Sequence, residues 1–174
     1  LFEPALIKSV AAAEALASGA NDRERTHISA VRAWLDGDWE RATELWGRAS
    51  IAYPYDLVAL QFAHVGDFFL GYSHMLRDRV ARVLPHWDRY VPGFGFIEGL
   101  YAFGLEEAGD YEQAVARGRE GMALKEQDGW AVHAVTHVME MQGRAAEGAE
   151  FLTAGADAWA PNSMFAFHLW WHKA

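Results

Sequence analysis

The chain has 174 residues, 52% of them hydrophobic and 22% charged, with a formal net charge of -9 when histidine is neutral. That composition suits a packed domain of ordinary size and excludes a disordered chain. The negative charge argues against nucleic acid and anionic membrane surfaces as partners, and no apolar run approaches the roughly 20 residues that span a bilayer. There is no cysteine, so disulfides and thiolate metal sites are excluded as well.

Residues 3–19 are rich in alanine and predict a leading helix. Beyond them a repeat organises the chain. Gly37, Gly71, Gly109 and Gly143 are separated by 34, 38 and 34 residues. A period of 34 is the length of a tetratricopeptide unit, a helix–turn–helix that buries its apolar face only against a neighbour. Two of the turns share the form Gly-Asp-aromatic-x-x-Ala: Gly37-Asp38-Trp39-Glu40-Arg41-Ala42 and Gly109-Asp110-Tyr111-Glu112-Gln113-Ala114. Glycine ends the first helix in a left-handed turn and aspartate caps the second. The aromatic ring wedges between the helices, and alanine lets them approach.

The predicted units run at about 23–56, 57–91, 95–128 and 129–162, with a partial fifth at 163–174 capped by Asn162. The four extra residues of the middle step fall in Tyr90-Val91-Pro92-Gly93-Phe94, and the second unit is degenerate, keeping Gly71 without the Asp-aromatic pair. Nothing reads as a strand. The expected fold is therefore all-α, a single helical-repeat domain over 1–174. It is a right-handed superhelix of tetratricopeptide-type antiparallel helix pairs, an α-α solenoid of about nine to ten helices. Because the last helix is still apolar where the sequence stops, the chain reads as a piece of a longer protein.

Within the first unit, Trp39, Ala42, Trp46 and Ala49 recur at helical spacing and predict a buried stripe, which Pro54 ends. In the second, His64 and Asp67 lie one turn apart, flanked by Phe68 and Phe69. The third contributes Gly99, Phe103 and Glu106 to the same row. In the fourth, Ala131, Ala134, Val135 and Val138 cluster on one side, while His133, His137 and Glu140 line the other and Arg144 follows the turn. In the fifth, His168 and His172 repeat the one-turn spacing. First helices of such units stack side by side, so these stripes are expected to converge on a concave groove.

Three kinds of chemistry fit that constellation. The preferred one is a binding groove for a small polar ligand or peptide, lined by His64, Asp67, Phe103, Glu106, His133, His137, Glu140, Arg144, His168 and His172. An enzyme using the same groove is the alternative, either metal-dependent or working by a His/Glu acid–base pair. A protein–protein scaffold with structural histidines is the third. Two histidines at i and i+4 can reach one divalent ion, and His133, His137, His168 and His172 could supply four nitrogens. No established metal motif supports this. A zincin has Glu directly after its first His, where this chain has Ala134, and di-iron bundles place Glu before His, the reverse of His137 and Glu140. A divalent metal is thus the single cofactor considered. The expected setting is cytoplasmic, with self-association through exposed helix surfaces.

Three stretches also carry a family resemblance: 63–71 (AHVGDFFLG), 102–111 (AFGLEEAGDY) and 130–144 (WAVHAVTHVMEMQGR), to which the terminal His168-Leu169-Trp170-Trp171-His172 adds. Together they cover most of residues 60–174 and resemble the tetratricopeptide repeat protein 38 family. The resemblance implies a tetratricopeptide-like helical fold within a chain more than twice this long, and it implies no activity. His64, Asp67, Glu106, His133, His137, Glu140, Arg144, His168 and His172 fall in the stretches that match.

Overall fold

The computed structural model describes residues 3–125, 127–161 and 165–174. The expected cap Asn162 lies outside them. Among the described residues there are ten α-helices and no strand. They are α1 (Pro4–Leu16), α2 (Asp22–Leu35), α3 (Trp39–Ala52), α4 (Leu57–Leu70), α5 (Ser73–Val83), α6 (Phe94–Glu107), α7 (Tyr111–Leu124), α8 (Gly129–Met141), α9 (Ala145–Trp159) and α10 (Ala166–Lys173). The all-α class of tetratricopeptide-type helix pairs is the one found. The four repeat glycines each end a helix with positive φ, at 84°, 74°, 81° and 72°, where a Cβ would be penalised. No helix among the described residues is long and apolar enough to cross a membrane.

The chain forms two compact units, Leu1–Tyr72 and Ser73–Ala174. In the first, α3 packs on both α2 and α4, and Ala30, Ala42, Trp46, Ala49, Ala59 and Ala63 form the core. The Trp46 ring stacks on Phe62 at 4.7 Å, and Trp39 meets Trp34 edge-on at 6.3 Å. Small residues bring the helix axes close, and the large rings fill what remains. The Asp38 side chain accepts the Arg41 N–H at 3.0 Å, the predicted cap. Asp110 departs from that expectation. It makes no capping bond to α7, because its carboxylate is taken by the Gln113 side-chain amide.

In the second unit α6 lies against α5, α7 and α8. Its Gly104 permits the closest approach. A Cβ there would lie 2.5 Å from the Leu76 carbonyl carbon and oxygen, backbone atoms that cannot move aside cheaply. The α8 helix is then held by α7 and α9, and α10 reaches both α8 and α9. Leu169 is fully buried among Val132, Leu152 and Trp159.

Two aspartates 72 residues apart cap α4 and α8, and their surroundings drive them in opposite directions. Asp56 is buried, which alone would raise its carboxyl, but Arg23 at 2.6 Å, His27 at 2.8 Å and the Ala59 N–H hold it down at about 2. The Trp46 indole N–H donates to His27 Nδ1 at 3.3 Å, so His27 donates to Asp56 from Nε2. Asp128 has no exposed surface, and among the described residues the cation acting on it is Lys125, through charge alone. Burial pushes it up to about 6, and the N–H groups at the start of α8 bring it back only part of the way.

The sign of the pH dependence follows from each shift. Asp56, lowered when folded, stabilises above the unfolded value near 4 and loses that contribution as pH falls through about 2. Asp128, raised when folded, is most favourable below about 4 and costs stability as pH rises through about 6. Denaturant melts at pH 7 should therefore show Asp56→Asn destabilised by about 2 kcal/mol and Asp128→Asn stabilised by about 1–3 kcal/mol. The Asp128→Asn gain should vanish near pH 4. Among glycines, Gly104→Ala should cost about 1–3 kcal/mol through overpacking. Gly148→Ala, whose Cβ would meet Met139 at an ordinary 3.7 Å, should gain up to about 1 kcal/mol of helix propensity.

Candidate metal centre

The second unit gathers His133, His137, His168 and His172 at one point. Two come from α8 and two from α10, each pair one helical turn apart, so both rings of a pair leave the same face. Their Nε2 atoms close on one another. His133 lies 2.9 Å from His168 and 3.2 Å from His172, His172 lies 3.0 Å from His168, and His137 lies 3.1 Å from His172.

Hydrogen bonding cannot satisfy this arrangement. A ring nitrogen that carries a proton has no lone pair to accept with, and one that lacks a proton cannot donate. A bonded pair therefore needs one of each kind. The Nε2 atoms of His133, His168 and His172 touch all three ways. With two kinds of nitrogen and three mutual contacts, at least one contact always sets like against like. Adding a proton to a ring does not help, since it only increases the number of donors. Burial lowers the pKa of His133, His168 and His172, and repulsion from neighbouring histidines lowers it further.

A cation at the centre removes the conflict, because all four nitrogens then direct lone pairs at it. Three of the nitrogens form a triangle with edges of 2.9–3.2 Å and the fourth lies 3.1 Å from one corner; a tetrahedron with such edges has its centre about 1.8–2.0 Å from each corner, close to the 2.0–2.1 Å of a zinc–imidazole bond. The donor set is four imidazoles, with no oxygen or sulfur among them.

The surroundings match such a centre. His137 Nδ1 lies 3.4 Å from Glu106 Oε2, and His172 Nδ1 lies 3.4 Å from Glu140 Oε2. For these two rings a carboxylate facing the far nitrogen makes the near nitrogen a stronger ligand, whereas His133 Nδ1 is buried without a hydrogen-bond partner among the described residues. The two carboxylate charges also balance a divalent ion. Aromatic rings surround the cluster. Phe103 is 5.1 Å from His133, Phe165 is 5.0 Å from His133 and 5.1 Å from His168, and Trp171 stacks on His168 at 5.8 Å. Gly99 does leave room, as its position suggests, but for the Asp128 cap: a Cβ would lie 2.4 Å from Asp128 Oδ2.

The other sequence candidates are placed elsewhere. His64 and Asp67 belong to the first unit and have no exposed surface. They are thus not exposed in the way that residues lining an open groove were expected to be. The Arg144 guanidinium is engaged by Glu147 at 2.8 Å and by the Gln142 side chain at 3.0 Å. Sequence reasoning missed Glu107, the neighbour of Glu106 at the end of α6. Burial raises its carboxyl and the Glu106 charge raises it further, while His137 opposes both. It also missed the Arg23–Asp56–His27 set and the capping role of Asp128. The 72-residue offset between the two aspartates was the available signal.

No family model matches the chain. Among solved structures it is similar to MamA AMB-1, at 14% identity and a TM-score of 0.59, over 89% of each chain. A second crystal form of MamA AMB-1 also gives 0.59, covering 91% of this chain and 85% of that one. A MamA mutant gives 0.60 at 14% identity, covering 94% and 88%. At this identity the likeness shows the fold alone, a tetratricopeptide-type arrangement of helices.

Proposed function

We propose that this chain is a tetratricopeptide-type binding module whose ligand is a divalent transition-metal ion, held by Nε2 of His133, His137, His168 and His172. The observation that carries the reading is the mutual contact of the His133, His168 and His172 Nε2 atoms at 2.9–3.2 Å, with His137 Nε2 3.1 Å from His172, which hydrogen bonds cannot satisfy and a central cation can. Four neutral imidazoles favour zinc, cobalt, nickel or copper over magnesium and calcium, which prefer oxygen. Four protein donors also fill a tetrahedral ion. That is the pattern of a closed, structural or storage site, since a catalytic site keeps one position free.

This reading narrows the wider class of polar-ligand or peptide binders that the fold admits. A helical repeat of this kind is typically a protein-binding module, and an ion that ties α10 to α8 would set the shape such a surface presents. The likeness of residues 130–144 to the tetratricopeptide repeat protein 38 family is consistent with the proposal. Placing the chain in that family is part of it.

The test is elemental analysis of untagged protein after gel filtration, followed by zinc titration of the chelator-stripped chain. About one tightly held ion at the histidines is expected. Ligand binding to the folded state at a thousandfold excess over Kd adds about 4 kcal/mol of stability, so zinc should raise the melting temperature by several degrees. His168→Ala and His172→Ala, on the partly exposed α10, should each lose the ion held by the four histidines, and the part of the rise that it contributes, without unfolding the protein. A metal content below about a tenth per chain, with no thermal response to zinc, cobalt, nickel or copper, would overturn the reading.

A further inference from the structure

We propose a second divalent cation beside the first, held by His137 Nδ1 together with the Glu106 and Glu107 carboxylates, so that the His137 ring bridges two ions. The inference deepens the four-histidine reading and rests on it. Donor atoms of these three residues lie within 4.8 Å of one another. Glu106 is 5% exposed, and its Oε2 accepts no hydrogen bond although it faces His137 Nδ1 at 3.4 Å. A buried carboxylate oxygen left in that state carries a desolvation cost that a cation removes.

The spacing favours an ion over a direct hydrogen bond. At 3.4 Å the nitrogen and oxygen are at the far limit for donation. For two ligands of one ion, with bonds of about 2.0–2.1 Å, the same separation gives an angle of about 110° at the metal. Two further features point the same way. Glu106 and Glu107 are adjacent acids in the last turn of α6, at the negative end of the helix dipole. Both charges are also partly withdrawn from water. A cation offsets the repulsion between them.

The His137 ring has one nitrogen for each ion. When Nε2 joins the first centre, Nδ1 keeps the remaining ring proton. Binding of the second ion to Nδ1 releases that proton to solvent, and the ring then bridges as imidazolate. Two carboxylates and one nitrogen suit zinc or manganese. Three protein ligands also leave coordination positions for water, unlike the closed first centre.

The experiment is zinc titration of the untagged, metal-stripped full chain, reading bound zinc by equilibrium dialysis and proton release in weak buffer. Wild type should bind two zinc ions, the second with release of a proton. Glu107→Gln, a partly exposed change that should leave the helical signal intact, should bind one zinc, with at least tenfold weaker affinity for the second. His168→Ala, which breaks the first centre alone, should keep the zinc at Glu106 and Glu107. One zinc that survives Glu107→Gln and is lost in His168→Ala would overturn the second ion and leave the four-histidine reading standing. One zinc that survives His168→Ala and is lost in Glu107→Gln would overturn the four-histidine reading and the bridge with it. No zinc in any variant would overturn both.

Discussion

Three imidazole nitrogens in mutual contact cannot all form hydrogen bonds with one another, and the second unit of this chain is built around such a contact. His133, His168 and His172 meet through Nε2, with His137 joining through His172. Left to itself the cluster would repel at one edge at least, in surroundings where burial disfavours charging the rings. A folded chain holds such an arrangement when something else satisfies it. The Nδ1 partners, the aromatic collar and the placement of α10 all make sense once the four lone pairs share an electrophile.

The fold supplies this geometry with few elements. Each ligand helix presents two rings from one face by the i, i+4 rule. The α8 helix is fixed at its start by Asp128, buried in the space that Gly99 leaves open. Close packing through α6 and α7 then sets its height. The α10 helix is only 8 residues long, too short to be stable alone. Its position comes from Leu169 and Ala166 in the core and from the two histidines on its other face. A divalent charge there would be offset by Glu106 and Glu140 across the rings, which would keep the centre near neutrality where the dielectric is low.

Much of the architecture was legible in the sequence because it depends on local chemistry. A glycine with positive φ follows α2, α4, α6 and α8 where each turns into the next helix, and the spacing of Gly37, Gly71, Gly109 and Gly143 exposed those four turns. The i, i+4 histidine pairs were equally visible. What the sequence could not supply was the third dimension of each pair: whether rings on neighbouring helices would point at a shared centre or past each other. That depends on axis separation, set for α8 and α10 by contacts such as Leu169 and Ala166 with Val132. Residue type also misled in places. His64 and Asp67 look like groove residues, yet neither has any exposed surface. Asp110 has the sequence of a cap, but the Gln113 side chain competes for its carboxylate. Glu107 carries no spacing signal of its own, since only the fold of α6 against α8 brings it towards His137.

The most direct measurement is X-ray absorption at the zinc edge on the chain loaded with one equivalent of zinc. The account predicts a first shell of four nitrogens at about 2.0–2.1 Å, with the outer-shell scattering of imidazole rings. A first shell of five or six oxygens at longer distance, without imidazole scattering, would contradict it.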